Sequence, residues 1–245
     1  MVLLTSPSDS RMLRIPANVS DLATDHADQP SISEVFGDVG LDFGSRTLAA
    51  GVILEDCILQ ITERGILVSQ SGQQGLMRQE CPPQTRISAA AIEEEHGIAV
   101  TVTTRGSQSY INLVQIIGDE EQAMLRHIGP SVSSDQTFVS VVIFKAPVGT
   151  IAVLGTADSS LLFYTLDPQR GPSFLFEHKI TGMADTYSAC GDVIALLDTK
   201  QSRSAPTYNI MLLCGLRNGT LYALELCLTR GSTYLTDCTY HEQIR

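Results

Sequence analysis

The sequence predicts an all-β fold, an incomplete WD-like β-propeller of about three to four blades of antiparallel strands. The first observation behind it is Ile210-Met-Leu-Leu-Cys-Gly-Leu-Arg-Asn-Gly-Thr-Leu-Tyr-Ala-Leu-Glu-Leu226, two apolar runs of strand length around a glycine-marked turn. Asn218-Gly219 tolerates the positive φ of a tight hairpin, and Tyr222, Leu224 and Leu226 share one face of the second arm. The second observation is repetition. Ile151 to Leu166 aligns with that stretch, Gly155 over Gly215 and Leu161 over Leu221, the same sixty-residue offset both times. A looser copy runs from Ile98 to Ile117, and a shorter one from Cys57 to Val68. The third is spacing, since roughly 40 to 60 residues per unit fits propeller blades better than shorter solenoid repeats. Units that cannot each bury their own apolar face have to stack or fan around a common core.

The elements follow in order. Residues 1–31, rich in Ser, Asp, Pro and Thr without apolar periodicity, read as a disordered or loop tail. From Ile32 to Phe43 apolar residues alternate with Gly37 and Gly40, and Gly44 follows. This spacing fits neither a dinucleotide fingerprint nor a P-loop, so these are turn glycines. Thr47 to Ile53 is a strand leading into the first hairpin, whose turn is Thr62 to Gly65, and the polar, glycine- and proline-bearing residues 69–85 read as a loop.

Ile87 to Ile92 is ambiguous: Ser88 could cap a short helix closed by Gly97, whereas its place before a hairpin favours a strand ending in the acidic turn Glu93-Glu94-Glu95. Repeat context selects the strand. Ile98, Val100 and Val102 alternate with Ala99, Thr101 and Thr103 in the second hairpin. The segment from Gly118 to His127 carries a weak helix signal but also suits an outer strand from Met124 to Ile128. Phe138 to Phe144 is a β-branched and aromatic strand, Ser173 to Ile180 an outer strand, and Asp192 to Leu197 the opening of the last unit. Residues 200–206 form a polar loop, and one further strand lies near Tyr234-Leu235. Each unit thus reads as inner strand, hairpin, outer strand. Three and a half such blades do not obviously close a ring, so the chain reads as a piece of a larger propeller, or as a truncated remnant with no independent function.

Charge and cysteine usage narrow the function classes. With 27 acidic residues to 16 basic, net −11, and no window that gathers Lys or Arg, the composition argues against direct nucleic-acid binding. The six cysteines, at 57, 81, 190, 214, 227 and 238, contain no C-x-x-C pair and read as reduced thiols of an intracellular protein. The opening Met-Val-Leu-Leu-Thr lacks a basic n-region, and no stretch reaches the roughly 18 apolar residues of a membrane span, so no membrane partner is expected.

Two sets of residues carry a family resemblance. Thr47-Leu-Ala-Ala-Gly51, Ile58-Leu-Gln-Ile-Thr62 and Gly65-Ile-Leu-Val68 resemble a T-L-x-A-G, V-Q-V-T, G-V-R-L pattern, and Leu212 to Leu221 resembles an L-L-x-G-x-x-D/N-G-x-L hairpin. Both patterns belong to the β-propeller family of the damaged-DNA-binding protein large subunit, the cleavage and polyadenylation specificity factor largest subunit and splicing factor 3b subunit 3. The resemblance covers about residues 32 to 226, with Leu67 where an arginine is usual and no tryptophan in the chain. It implies that residues 32–128 form the end of a middle propeller, one to two blades, and that residues 129–245 form further blades that reach the opening of the next. It also implies a nuclear location, partner proteins of a multi-subunit complex, and work in ubiquitin-ligase recruitment and DNA repair or in pre-mRNA processing.

No residue combination demands catalysis. There is no G-x-S-x-G elbow, and His26, His96, His127, His178 and His241 fall in loops or at strand ends. His96 beside Glu93, Glu94 and Glu95 is the nearest approach to a site and reads as a solvated acidic turn, because no further ligands stand at metal-binding spacing. Asp158 and Asn218 are explained by turn chemistry. The sequence therefore assigns no catalytic, cofactor-binding or metal residue, expects no cofactor and no enzyme, and points to a non-catalytic protein-interaction scaffold segment. The alternative is a propeller hydrolase with axial carboxylates, which predicts several inner-strand Asp or Glu residues, whereas the inner strands Val141-Val142-Ile143 and Val193-Ile194-Ala195 are apolar.

Overall fold

Every described strand pairs antiparallel with the next strand of its own sheet, and each sheet contains four. In the computed structural model the described residues are 41–42, 44–54, 57–70, 76–118, 123–146, 149–180, 190–197, 207–216, 221–229 and 235–244. The first sheet holds β1 (Thr47–Ile53), β2 (Cys57–Thr62), β3 (Gly65–Gln70) and β4 (Leu76–Glu80). The second holds β5 (Thr85–Glu93), β6 (Ile98–Arg105), β7 (Gln108–Gly118) and β8 (Ala123–Ser134). The third holds β9 (Phe138–Ala146), β10 (Gly149–Thr156), β11 (Ser160–Asp167) and β12 (Gly171–Lys179). The fourth holds β13 (Cys190–Leu197), β14 (Thr207–Leu216), β15 (Leu221–Thr229) and β16 (Leu235–Ile244). The first strands of the sheets touch in series, β1 with β5, β5 with β9 and β9 with β13, so these are the inner strands of an incomplete β-propeller.

Burial on both faces explains why the central strands read as unbroken apolar runs. In β10, Ile151 and Val153 pack toward the fourth sheet while Ala152 and Leu154 pack toward the second. In β11, Leu161 and Phe163 go one way and Leu162, Tyr164 and Leu166 the other. Phe163 is 1% exposed and stacks on Phe176 at 4.2 Å between ring centroids. Cys57 and Cys214 are buried among aliphatic side chains, where a thiol acts as a small hydrophobe.

The sixty-residue repeat is a repeat of register. Gly155 pairs with Leu161 in the third sheet, and Gly215 with Leu221 in the fourth. A bulge also recurs near the start of every inner strand, at Leu48, Ser88, Val139 and Gly191, where the ladder skips one residue. In β5 the bulge sends Ile87 toward the first sheet and Ala89 toward the third, and the Ser88 hydroxyl donates to the Val102 carbonyl at 3.3 Å. The possible helix cap is a bulge residue instead.

Turn bonds recur as well. Glu63 N donates to Arg46 O and Cys81 N to Arg64 O in the first blade; Ala157 N donates to Thr137 O and Ile180 N to Ser159 O in the third. Ile87 N donates to Glu63 O at 2.9 Å, tying the second blade to the first. Ser159 holds φ 65° in the β10–β11 turn.

Three expectations change. The segment 69–85 is not one loop, because it contains the end of β3 and the edge strand β4. The outer strand offered at Met124 to Ile128 is present and longer, as β8, and the last strand extends through Ile244. The tail at 1–31, the glycines at 37 and 40, the loop at 200–206 and the Asn218-Gly219 turn lie outside the described residues. Among the described residues no helix is long and apolar enough to cross a membrane, which says nothing of a β-barrel.

Phe163→Ala empties a fully enclosed site between two sheets and is expected to cost about 3–5 kcal/mol in chemical denaturation, while Met124→Ala, 62% exposed, stays within about 0.5 kcal/mol. Equal effects would mean that the inter-sheet core does not carry the stability.

Candidate functional site

The end of β5 gathers the densest set of ionisable side chains among the described residues. β5 runs to Glu93, and a turn through Glu94, Glu95 and His96 returns the chain into β6, with Gly97 at φ 60° and its carbonyl accepting from Ile116 N. Gly97 is needed there, since a side chain would enter the left-handed region and press on the Ile116 carbonyl.

Glu93 closes this turn twice. Its Oε2 accepts from the His96 backbone N–H at 3.0 Å, and its carboxylate lies 3.1–3.2 Å from His96 Nδ1. The Glu93 side chain is 12% exposed and that of His96 47%, so a shielded carboxylate holds an accessible imidazole. With Nδ1–H donating to Glu93, Nε2 is left as an acceptor. Neighbouring inner strands complete the arrangement. Lys145 of β9 reaches Glu95 at 3.1 Å, and Glu94 lies against β1, where a Cβ on Gly51 would sit 2.5 Å from its Oε1. The hydrogen bond from Lys145 and then its charge hold the Glu95 carboxyl below its ordinary range.

Ligand atoms of Glu93, Glu95 and His96 lie within 4.8 Å of one another, close enough to share a cation. Chemistry favours a different use, because Glu95 already holds an ammonium and Glu93 already holds an imidazole. A carboxylate that orients a histidine, with a lysine held by the carboxylate next along the turn, is the outline of a proton-transfer site. The sequence placed His96 and Glu93 to Glu95 together as a turn; it had no means to bring in Lys145, fifty positions away. The sequence-based expectation of axial carboxylates rested on the inner strands at Val141 to Ile143 and Val193 to Ala195, which are apolar, and did not include Glu93, the last residue of β5.

Other candidates are weaker. A cavity of about 290 Å³ between the first two sheets is lined by Gln79, Cys81, Thr101, Asn112 and His127, with Gln79 Nε2 and His127 Nε2 3.1 Å apart. Burial pushes the Cys81 thiol up, which keeps it protonated and a poor nucleophile. Burial also lowers His178, on β12. Asp158 accepts from Thr156 Oγ1 within the β10–β11 turn, as turn chemistry requires. Asn218 and His26 lie outside the described residues.

Comparison with known proteins places this geometry in context. The model of the RSE1/DDB1/CPSF1 second β-propeller matches residues 29–241. A search of curated proteins returns no match. Among solved structures, a protein of unknown function from Bacteroides caccae is similar at 15% identity and TM-score 0.45 over 82% of this chain and 62% of its own. The periplasmic gluconolactonase PpgL of Pseudomonas aeruginosa is similar at 10% identity and TM-score 0.49 over 82% of this chain and 54% of its own. BBS1N, solved in complex with ARL6DN, is similar at 13% identity and TM-score 0.45 over 83% of this chain and 56% of its own. The chain thus spans little more than half the length of these structures, and at such identities the likeness is one of fold. The expectation of a non-catalytic scaffold in nuclear complexes is corrected accordingly: the family match carries the propeller fold and no such role with it.

The Lys145–Glu95 pair allows a direct check. Because Glu95 is held below the ordinary range of an unfolded chain, its contribution to stability is present above that range and is lost as pH falls through the lowered value. In Lys145→Met the Glu95 titration, followed by carbon-detected NMR of side-chain carboxyls, should move up toward the ordinary carboxylate range. An unmoved titration would mean that Lys145 does not set it.

Proposed function

The chain belongs to the RSE1/DDB1/CPSF1 second β-propeller family, and we propose that within this fold the β5–β6 turn is a hydrolytic site acting on carboxylic esters or lactones. The observation that carries the reading is the Glu93–His96 pair at the end of an inner strand, with the Lys145 ammonium held on the neighbouring Glu95. In this scheme His96 Nε2 takes a proton from water, and the resulting hydroxide attacks the acyl carbon. Glu93 holds the ring and balances the imidazolium that forms. Lys145 faces the developing oxyanion, and the imidazolium returns its proton to the departing alkoxide. An ester suits this set better than an amide, because an alkoxide leaves with less acid assistance than an amine.

A second reading rests on family membership, which supports other proteins as partners. It concerns surfaces away from this turn and is compatible with a reaction there.

The test is hydrolysis of a panel of aryl esters and small lactones by the whole chain. His96→Asn should lower the rate by about a hundredfold or more, and Glu93→Gln by less, with thermal unfolding of both variants unchanged. Rates that are absent in the parent chain, or equal in parent and His96→Asn, would remove the proposal.

A further inference from the structure

The opposite end of β5 presents a cavity of different character. Its volume is about 470 Å³, and it opens where β5 starts, where the β6–β7 turn closes and where β9 begins. Arg86, Thr85, Thr104, Ser107, Gln108 and Thr137 contribute to its wall. In a chain with 27 acidic residues, none of the described residues lining this cavity is acidic, and Arg86 supplies its only charge. Asp135, two residues before Thr137, Glu80, four before Gln84, and Glu63, whose carbonyl accepts from Ile87 N, are not part of the lining.

The wall is made of hydrogen-bond donors. Arg86 is exposed and forms no ion pair among the described residues, so its guanidinium is available to a ligand. Thr104 donates to the Arg86 carbonyl at 3.4 Å, fixing the backbone below that side chain. Gln84 at φ 63° and Gly106 at φ 61° bend the rim at two separate turns, and no atom lies within 4 Å of where a Gly106 Cβ would stand. An unpaired guanidinium ringed by hydroxyls and amides matches the planar, acceptor-rich outline of an oxyanion.

We propose that this cavity binds an oxyanion, a carboxylate or a phosphate, presented by an acidic segment of a partner protein. The open mouth admits a side chain carried on a peptide, and Arg86 meets the oxyanion with a two-pronged hydrogen bond. Hydroxyls at Thr85, Ser107 and Thr137 line the wall beside it and can meet the remaining acceptor positions. The site stands at the far end of β5 from His96, so it succeeds or fails independently of the hydrolytic reading.

Fluorescence anisotropy with the full chain tests it, using a labelled Glu-rich peptide, the matching phosphoserine peptide and a Gln-rich control of equal length. Both anionic peptides should bind at least about tenfold more tightly than the control, and Arg86→Gln should weaken them by about tenfold while leaving the thermal midpoint in place. The tighter of the two identifies the phosphate or the carboxylate as the natural group. Arg86→Lys, which keeps the charge and loses the fork, should fall between. Equal binding of the control peptide, or affinity unchanged in both Arg86 variants, would overturn the proposal.

Discussion

The structure depends on one constraint: an interior sheet of this fold has no solvent face and must bury both of its sides against its neighbours. The third sheet meets it by strict alternation, with Ile151, Val153, Leu161 and Phe163 turned toward the fourth sheet and Ala152, Leu154, Leu162 and Tyr164 toward the second. A one-residue slip in β10 or β11 would send each set to the wrong partner, so register is strongly specified. That is why Gly155 opposite Leu161 recurs as Gly215 opposite Leu221. Lateral burial also supplies the connections between blades that short turns cannot.

Side-to-side packing of twisted sheets leaves a geometric problem at the inner strands, which lie closest together. The recurring bulge answers it. At Leu48, Ser88, Val139 and Gly191 one extra residue is inserted, so that residues two apart on the same strand can face opposite neighbours. Ile87 and Ala89 show the result, one in the core with the first sheet and one in the core with the third. The paired turn bonds of the first and third blades hold the neighbouring strand ends in the same relation.

Much of this was legible in the sequence because period-two patterns and glycine turns are local signals. The hairpins β2–β3, β6–β7, β10–β11 and β14–β15 all fall where apolar runs flank a turn. Repeat context also resolved the Ser88 to Glu95 segment correctly, where helix propensity pointed the other way. Edge strands were harder. β4 has the sequence Leu-Met-Arg-Gln-Glu, with three exposed polar residues, and is defined by its ladder to β3 and not by any apolar run. The bulges were invisible because a skipped residue changes no residue type. The ionisable cluster was half visible: Glu93 to His96 are consecutive, but Lys145 joins them only through the packing of β9 on β5. Arg86, Thr104, Ser107 and Thr137 are separated along the chain and share a wall only after folding.

Where chemistry can reside follows from the same topology. Interior strands commit nearly every side chain to a neighbouring sheet, so groups that meet solvent or ligand are left to strand ends and turns. β5 shows both consequences in one element. Arg86 near its start lies in a cavity without described acids, and Glu93 at its end anchors a histidine in an acidic turn. Seven residues of extended chain separate them, roughly 23 Å at about 3.3 Å per residue. Across that distance charges at the surface are screened by ordinary salt, and substitutions with no shared partner act additively. A donor-lined cavity and a carboxylate-held imidazole can therefore occupy one strand of a strongly acidic chain without either setting the electrostatics of the other.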